Sequence, residues 1–241
     1  MRRHLAIFRL FLAHTGGKVL LVLVLLAAAE GAVVFRWRAL APSASLLGYY
    51  ERCATGLGIL FLAAAVLVSA LLLWAGVGWG KGRPGDTLDR LTVSPWWVVF
   101  WQGLYNALIF LLLWGVQALL LVALAWFYGK QGGQLSTQSL YLLVWQRDLP
   151  HFLLPLGSVG GWVSRGFLAA GLGCTAACFA QGLRRGMWDL SFPILFLCVL
   201  PFLGKGYSLL LVVLSLLCGA VGLGHLWWKG KEARHEAATS V

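Results

Sequence analysis

The chain has 241 residues, 60% of them hydrophobic and 11% charged, with a mean hydropathy of +0.83. Soluble domains carry roughly 25% charged and 45–50% apolar residues, so an ordinary soluble enzyme, a disordered chain and a nucleic-acid-binding module are excluded. The net charge of +11 arises from 19 Lys and Arg against 8 Asp and Glu, and the basic residues sit in short clusters between long uncharged runs, as they do around membrane spans.

Residues 2–14 (RRHLAIFRLFLAH) read as a helix lying in the membrane surface. At 100° per residue, Leu5, Ile7, Phe8, Phe11 and Leu12 share one arc, and Arg2, Arg3 and Arg9 share the opposite one, the pattern of a basic amphipathic helix. Gly16-Gly17 is expected to separate this helix, residues 1–17, from the first span. The arginines and the lack of a small-residue cleavage site argue against a cleavable signal peptide.

Uncharged apolar segments near 20 residues, the length that crosses a hydrocarbon core of ~30 Å, then define a transmembrane domain over residues 18–228. The spans read as 18–35, 54–80, 95–128, 162–183, 187–204 and 206–228, with Pro193 and Pro201 inside the fifth and a tail at 229–241. Long continuous runs without alternation exclude a barrel and require helices. The expected fold is therefore all-α, with six transmembrane helices. Six spans put both termini on one face. That face carries the larger share of the basic residues, including Arg2, Arg3, Arg9, Lys81, Arg83, Arg184, Arg185 and Lys229, so both termini are expected in the cytoplasm. Trp96, Trp97, Trp188, Trp227 and Trp228 would form one aromatic belt, and Trp126 and Trp162 part of the other.

The stretch between spans two and three, GKGRPGDTLDRLTVSPWW (residues 80–97), is expected to form a short, separately capped helix. Pro84-Gly85 breaks the preceding helix, Asp86 is a cap, Asp89 lies in the first turn, and Leu88 and Leu91 share a face. Ser94-Pro95 then reads as a new start, with Ser as N-cap and Pro at the first helical position. So short a helix is marginal in water and needs a surface for its two leucines.

The run Gly85-Asp86-Thr87-Leu88-Asp89-Arg90-Leu91-Thr92-Val93-Ser94-Pro95 resembles the loop after the second span of type-two ATP-binding-cassette permeases, the membrane subunits of many bacterial exporters. There a Gly-Thr-Leu-Glu-Arg-Leu-like stretch precedes a Ser/Thr-Pro pair. Asp86 stands where the family usually has Gly, and Lys81 and Arg83 stand where it has an acidic residue. The resemblance implies a cytoplasmic coupling helix between helices 2 and 3, with Asp86, Thr87, Leu88, Asp89, Arg90, Leu91 and Ser94 docking on a separate ATPase subunit. It further implies a second permease subunit, the same chain or a homologue, in a multi-pass protein of a bacterial plasma membrane. The cargo would be hydrophobic or amphipathic. ATP and Mg would be bound by the ATPase partner. None of the Gly-Lys pairs of this chain completes G-x-x-x-x-G-K-[ST], so no ATPase activity and no cofactor are expected in the chain itself.

Polar residues inside the spans are the candidate translocation path: Gln102, Asn106 and Gln117 in span three, and Glu30 in span one. Intramembrane amides and carboxylates need a partner, water or a ligand. The alternatives are interhelical bonding for the amides and pairing of Glu30 with Arg36 or Arg38. In span four, Gly166, Ala170 and Cys174, and likewise Ala169, Gly173 and Ala177, recur every four residues, a small-residue pattern that permits close helix contact. No metal site is expected from Cys174 and Cys178, since two thiolates are too few. Rival readings are a secondary transporter or channel not driven by ATP, resting on Glu30 and Pro193, and an intramembrane protease, for which Ser158 is the nearest nucleophile.

Overall fold

The computed structural model describes residues 2–40, 46–75, 94–130, 148–155, 158–184, 186–200 and 208–239, with the isolated positions Gln138 and Val144. Among these residues the protein is helical throughout, without strands. In chain order the helices are α1 (Arg2–Leu40), α2 (Leu46–Trp74), α3 (Pro95–Lys130), α4 (Asp148–Leu153), α5 (Val159–Arg184), α6 (Ser191–Val199) and α7 (Ser208–Thr239). Five of them, α1, α2, α3, α5 and α7, contain stretches long and apolar enough to cross a membrane, so the chain is a multi-pass membrane protein by length and composition.

The amphipathic N-terminal segment is not a separate helix. α1 runs unbroken through Gly16-Gly17 for 39 residues, about 58 Å at ~1.5 Å per residue. Ile7, Phe11, Thr15, Val19, Leu23, Leu26 and Glu30 are all buried, one stripe at spacings of three and four that crosses the glycines without a change of face. A glycine costs a helix ~1 kcal/mol, less than a backbone left unsatisfied away from water, and the stripe is packed on both sides of the pair. Arg9 stays exposed, but Ile7 and Phe11 lie in the core of the bundle.

The order of contacts fixes the helix directions. Gly56 of α2 abuts Val33 of α1, so these two form an antiparallel hairpin. Thr15 and Glu30 of α1 bond Tyr105 and Gln117 of α3, a parallel pair. Gly103 and Gln102 of α3 meet Cys174 and Gln181 of α5, an antiparallel pair. Gly171 and Cys178 of α5 meet Ser215 and Gly222 of α7, which makes α5 and α7 parallel. Consecutive long helices that run the same way require the chain between them to come back. The nine residues of α6 span about 14 Å, and α6 packs against both α5 and α7. Arg2 and Thr239 consequently lie toward the same end of the bundle.

α5 is the central helix. Its most extensive interfaces are with α3 and α7, and glycine and alanine make them close. A Cβ on Gly173 would lie 2.5 Å from the Gly103 carbonyl oxygen and 2.6 Å from the Ala107 amide nitrogen. Of the two predicted stripes, Ala169, Gly173 and Ala177 are buried against the bundle, whereas Gly166 and Ala170 are exposed. Beyond the end of α5 at Arg184, Gly186 has a φ of 69°, which favours a residue without Cβ. The Met187 amide then bonds the Gly182 carbonyl and the Gly186 amide bonds that of Leu183, closing the open carbonyls of the last turn.

Trp96, Trp97, Trp188, Trp227 and Trp228 are exposed near the end where α3 begins and α5 ends. Trp126 and Trp162 are exposed toward the other end. About 30 residues separate Trp96 from Trp126 along α3, roughly 45 Å, which matches a bilayer with its headgroups.

Candidate functional site

All four candidate path residues are buried: Gln102 and Gln117 at 0%, Asn106 at 1% and Glu30 at 3% exposure. They form two polar nodes along α3 rather than one. At the first, Gln102 and Asn106, one turn apart, face α5. Gln181 Nε2 donates to Gln102 Oε1 at 3.1 Å, and Asn106 Nδ2 donates to the Gly173 carbonyl at 3.4 Å. Arg184 Nη1 in turn donates to Gln181 Oε1 at 3.2 Å, extending the network toward the start of α3. Gln102 Nε2 and Asn106 Oδ1 are buried with no hydrogen bond. A buried donor and a buried acceptor left open cost stability unless something else meets them.

The second node lies about 16 Å further along α3. Gln117 Nε2 donates to Glu30 Oε1 at 2.7 Å, at the short end of the N–H···O range. Glu30 thus bonds an amide; Arg36 is exposed, and the Arg38 side chain lies outside the described residues. A cleft of about 400 Å³ opens beside Glu30 between α1, α2 and α3. Its walls are apolar, among them Ala27, Val34, Leu57, Leu121, Leu124 and Phe127. Phe35 and Trp126 also line it and are 69% and 58% exposed, so they form the rim on the lateral surface of the bundle.

Level with the first node, on the side of α3 toward α1, the hydroxyls of Thr15 and Tyr105 are 2.6 Å apart, and Thr15 Oγ1 also donates to the Phe11 carbonyl at 2.8 Å. Phe8 meets the Tyr105 ring edge-on and Phe11 stacks on it. This cluster ties the N-terminal part of α1 to the wall that carries Gln102 and Asn106.

Of the candidate coupling residues, Asp86, Thr87, Leu88, Asp89, Arg90 and Leu91 lie outside the described residues. Ser94 is exposed. Its carbonyl accepts from the amides of Trp97 (3.0 Å) and Val98 (3.4 Å), and α3 starts at Pro95, where the Ser-Pro pair predicts a helix start. Ser158 is an N-terminal cap of α5, its Oγ accepting the Gly161 amide at 2.9 Å.

The sequence reading missed three groups. Gln181 is the partner of Gln102. Arg165 is 7% exposed: its Nε donates to the Phe152 carbonyl (3.0 Å), its Nη1 to the Gly161 carbonyl and Ser164 Oγ, and its guanidinium lies over the Phe152 ring. Asp189 is 4% exposed, and its Oδ1 accepts the Ser191 amide at 2.9 Å at the start of α6. A polar residue near the end of an apolar run was the available signal for each. What it could not give is the direction in which each side chain turns.

Comparison with protein-family models, with curated proteins and with solved structures finds no match.

Proposed function

We propose that the protein is the permease subunit of an ATP-binding-cassette transporter, exporting a hydrophobic or amphipathic cargo and driven by a separate ATPase subunit. The observation that carries this reading is the motif Thr87-Leu88-Asp89-Arg90-Leu91 followed by Ser94-Pro95, which joins α2 to α3 toward the end of the bundle where the chain termini emerge. Residues 86–94 are the coupling helix. Leu88 and Leu91 fill apolar pockets of the ATPase, and Asp89 and Arg90 make rim contacts. The parallel course of α5 and α7 supports six traverses, with α6 and the segment after it as the return, and the basic residues support cytoplasmic termini.

In this reading the mechanism is alternating access. ATP-driven closure of two ATPase subunits moves the helix at 86–94, which sits at the foot of α3. α3 carries Gln102, Asn106 and Gln117, so its displacement changes both polar nodes. The open donor and acceptor at the first node support a path for polar parts of the cargo between α3 and α5. Two permease chains pair to complete the conduit.

The test is co-purification. Leu88→Asp with Leu91→Asp is expected to release the bound ATPase while the bundle stays folded; retention of the ATPase by that double variant contradicts the coupling role. The buried carboxylate Glu30 favours a second reading, a transporter driven by an ion gradient. Transport by the purified chain alone, without nucleotide, would select it.

A further inference from the structure

We infer that the cleft between α1, α2 and α3 is a binding site for a lipophilic organic cation, an amine or amidine on an apolar body, held through its N–H by Glu30. The argument starts from the mismatch between walls and base. The cleft of about 400 Å³ lies in the size range of small-molecule sites, which are mostly apolar with a few placed polar groups. Among the described residues its lining is aliphatic and aromatic except for one ionisable group, Glu30. A carboxylate in such a setting is expensive and by default functional.

Gln117 sets the carboxylate in place. Its amide engages Oε1, and no hydrogen bond among the described residues engages Oε2. One oxygen is therefore fixed and the other is left for a donor from the cleft. Among the described lining residues Glu30 is the one charged group, and none is Lys, Arg or His, so the described walls offer a cationic ligand a partner and an anionic one none. A zwitterionic phospholipid amine is disfavoured for the same reason: its phosphate would sit beside Glu30 among described walls that are otherwise apolar. Phe35 at the rim offers a ring face that attracts a cation before it reaches the carboxylate, and the rim opens the cleft sideways, where a ligand dissolved in the bilayer would enter.

This deepens the cargo reading by naming a chemical class, but binding itself needs no ATPase. It can therefore fail or succeed independently of the co-purification result. The probe is rhodamine 6G, a lipophilic cation with N–H groups, followed by fluorescence anisotropy. The full chain, with any subunit that accompanies it, is placed in phosphatidylcholine nanodiscs, and the signal of empty nanodiscs is subtracted. Saturable binding is expected. Glu30→Gln keeps an amide partner for Gln117 and should bind at least about tenfold more weakly. Ala27→Phe, which narrows the cleft and leaves Glu30 intact, should also weaken binding. Gly17→Ala, at a position with nothing within 4 Å of the added Cβ, should not. Absence of saturable binding, or unchanged affinity in Glu30→Gln, overturns the proposal. Loss of the dye when phosphatidylethanolamine is added overturns it too, since the occupant would then be a lipid; unchanged affinity in that lipid supports it.

Discussion

Gly171 and Ser215 meet so closely that a Cβ on Gly171 would lie 2.7 Å from the Ser215 Cβ. Seven residues further along each helix, a Cβ on Gly222 would lie 3.2 Å from the Cys178 Cβ. Two helices that keep equal spacing over two turns run in the same direction. This contact, more than any length of apolar sequence, shows that the chain reverses between α5 and α7.

The reversal makes a topological prediction. Single-cysteine variants at Gly186 and at Thr239 should be labelled from the same side of the membrane, and a variant at Lys205 from the opposite side. Lys205 lies outside the described residues, which makes the experiment a test of the return crossing. Labelling of Lys205 from the Gly186 side, with Thr239 on the opposite side, would mean that α6 dips in and leaves by the face it entered.

The close contact on the other side of α5 predicts a steep response to one methyl group. At Gly173, an added Cβ meets backbone atoms of α3, which cannot rotate away. Gly173→Ala should destabilise the bundle by about 1–3 kcal/mol, the cost of overpacking. Gly166→Ala on the same helix has open space around it and should be neutral or slightly stabilising. Thermal unfolding of the two variants in detergent compares them directly.

Thr15 and Tyr105 hold the N-terminal part of α1 to α3. Tyr105→Phe removes the 2.6 Å contact but leaves the Phe8 and Phe11 ring contacts. A loss of about 0.5–1.5 kcal/mol is expected. Thr15→Val should add little in the double variant, because the same bond is already gone. A double-mutant cycle of unfolding free energies measures the coupling.

Arg165 ties the short helix α4 to α5 through the Phe152 carbonyl. Lysine keeps the charge but not the planar fork, so Arg165→Lys cannot reach Phe152, Gly161 and Ser164 together. Hydrogen exchange over residues 148–155 should quicken in that variant, with residues 168–180 unchanged. Equal protection in both proteins would show that α4 is held by its apolar contacts alone.

Asn106 separates interhelical bonding from a transport role. Its bond to Gly173 is long, at 3.4 Å, and its Oδ1 is unpartnered, so Asn106→Leu should change stability by under about 1 kcal/mol. Reduced transport at unchanged stability is the outcome expected for a path residue. Unchanged transport would leave Asn106 as a contact between α3 and α5.

The one-dimensional pattern carried much of this. Apolar runs of about 20 residues specify membrane helices because a bilayer tolerates no unpaired backbone, and that rule acts on each segment alone. The start of α3 at Pro95 and the burial of Gln102, Asn106, Gln117 and Glu30 were legible for the same reason: each depends on a residue and its near neighbours. The separate surface helix at residues 2–14 was not, because its local amphipathicity is continued by Thr15, Val19 and Leu23 into one packed stripe.

What the sequence by itself determined is that this is a helical membrane protein with polar groups at particular depths. Which groups meet was decided by the tertiary structure: Glu30 with Gln117, Gln102 with Gln181, and α5 alongside α7 in the same direction. Hydrophobicity fixes how deep a residue lies, because transfer into lipid is a property of the side chain. Pairing depends on how helices rotate and slide against one another, and that is set by small residues such as Gly171 and Gly173, whose effect appears only when a second helix is present to approach them.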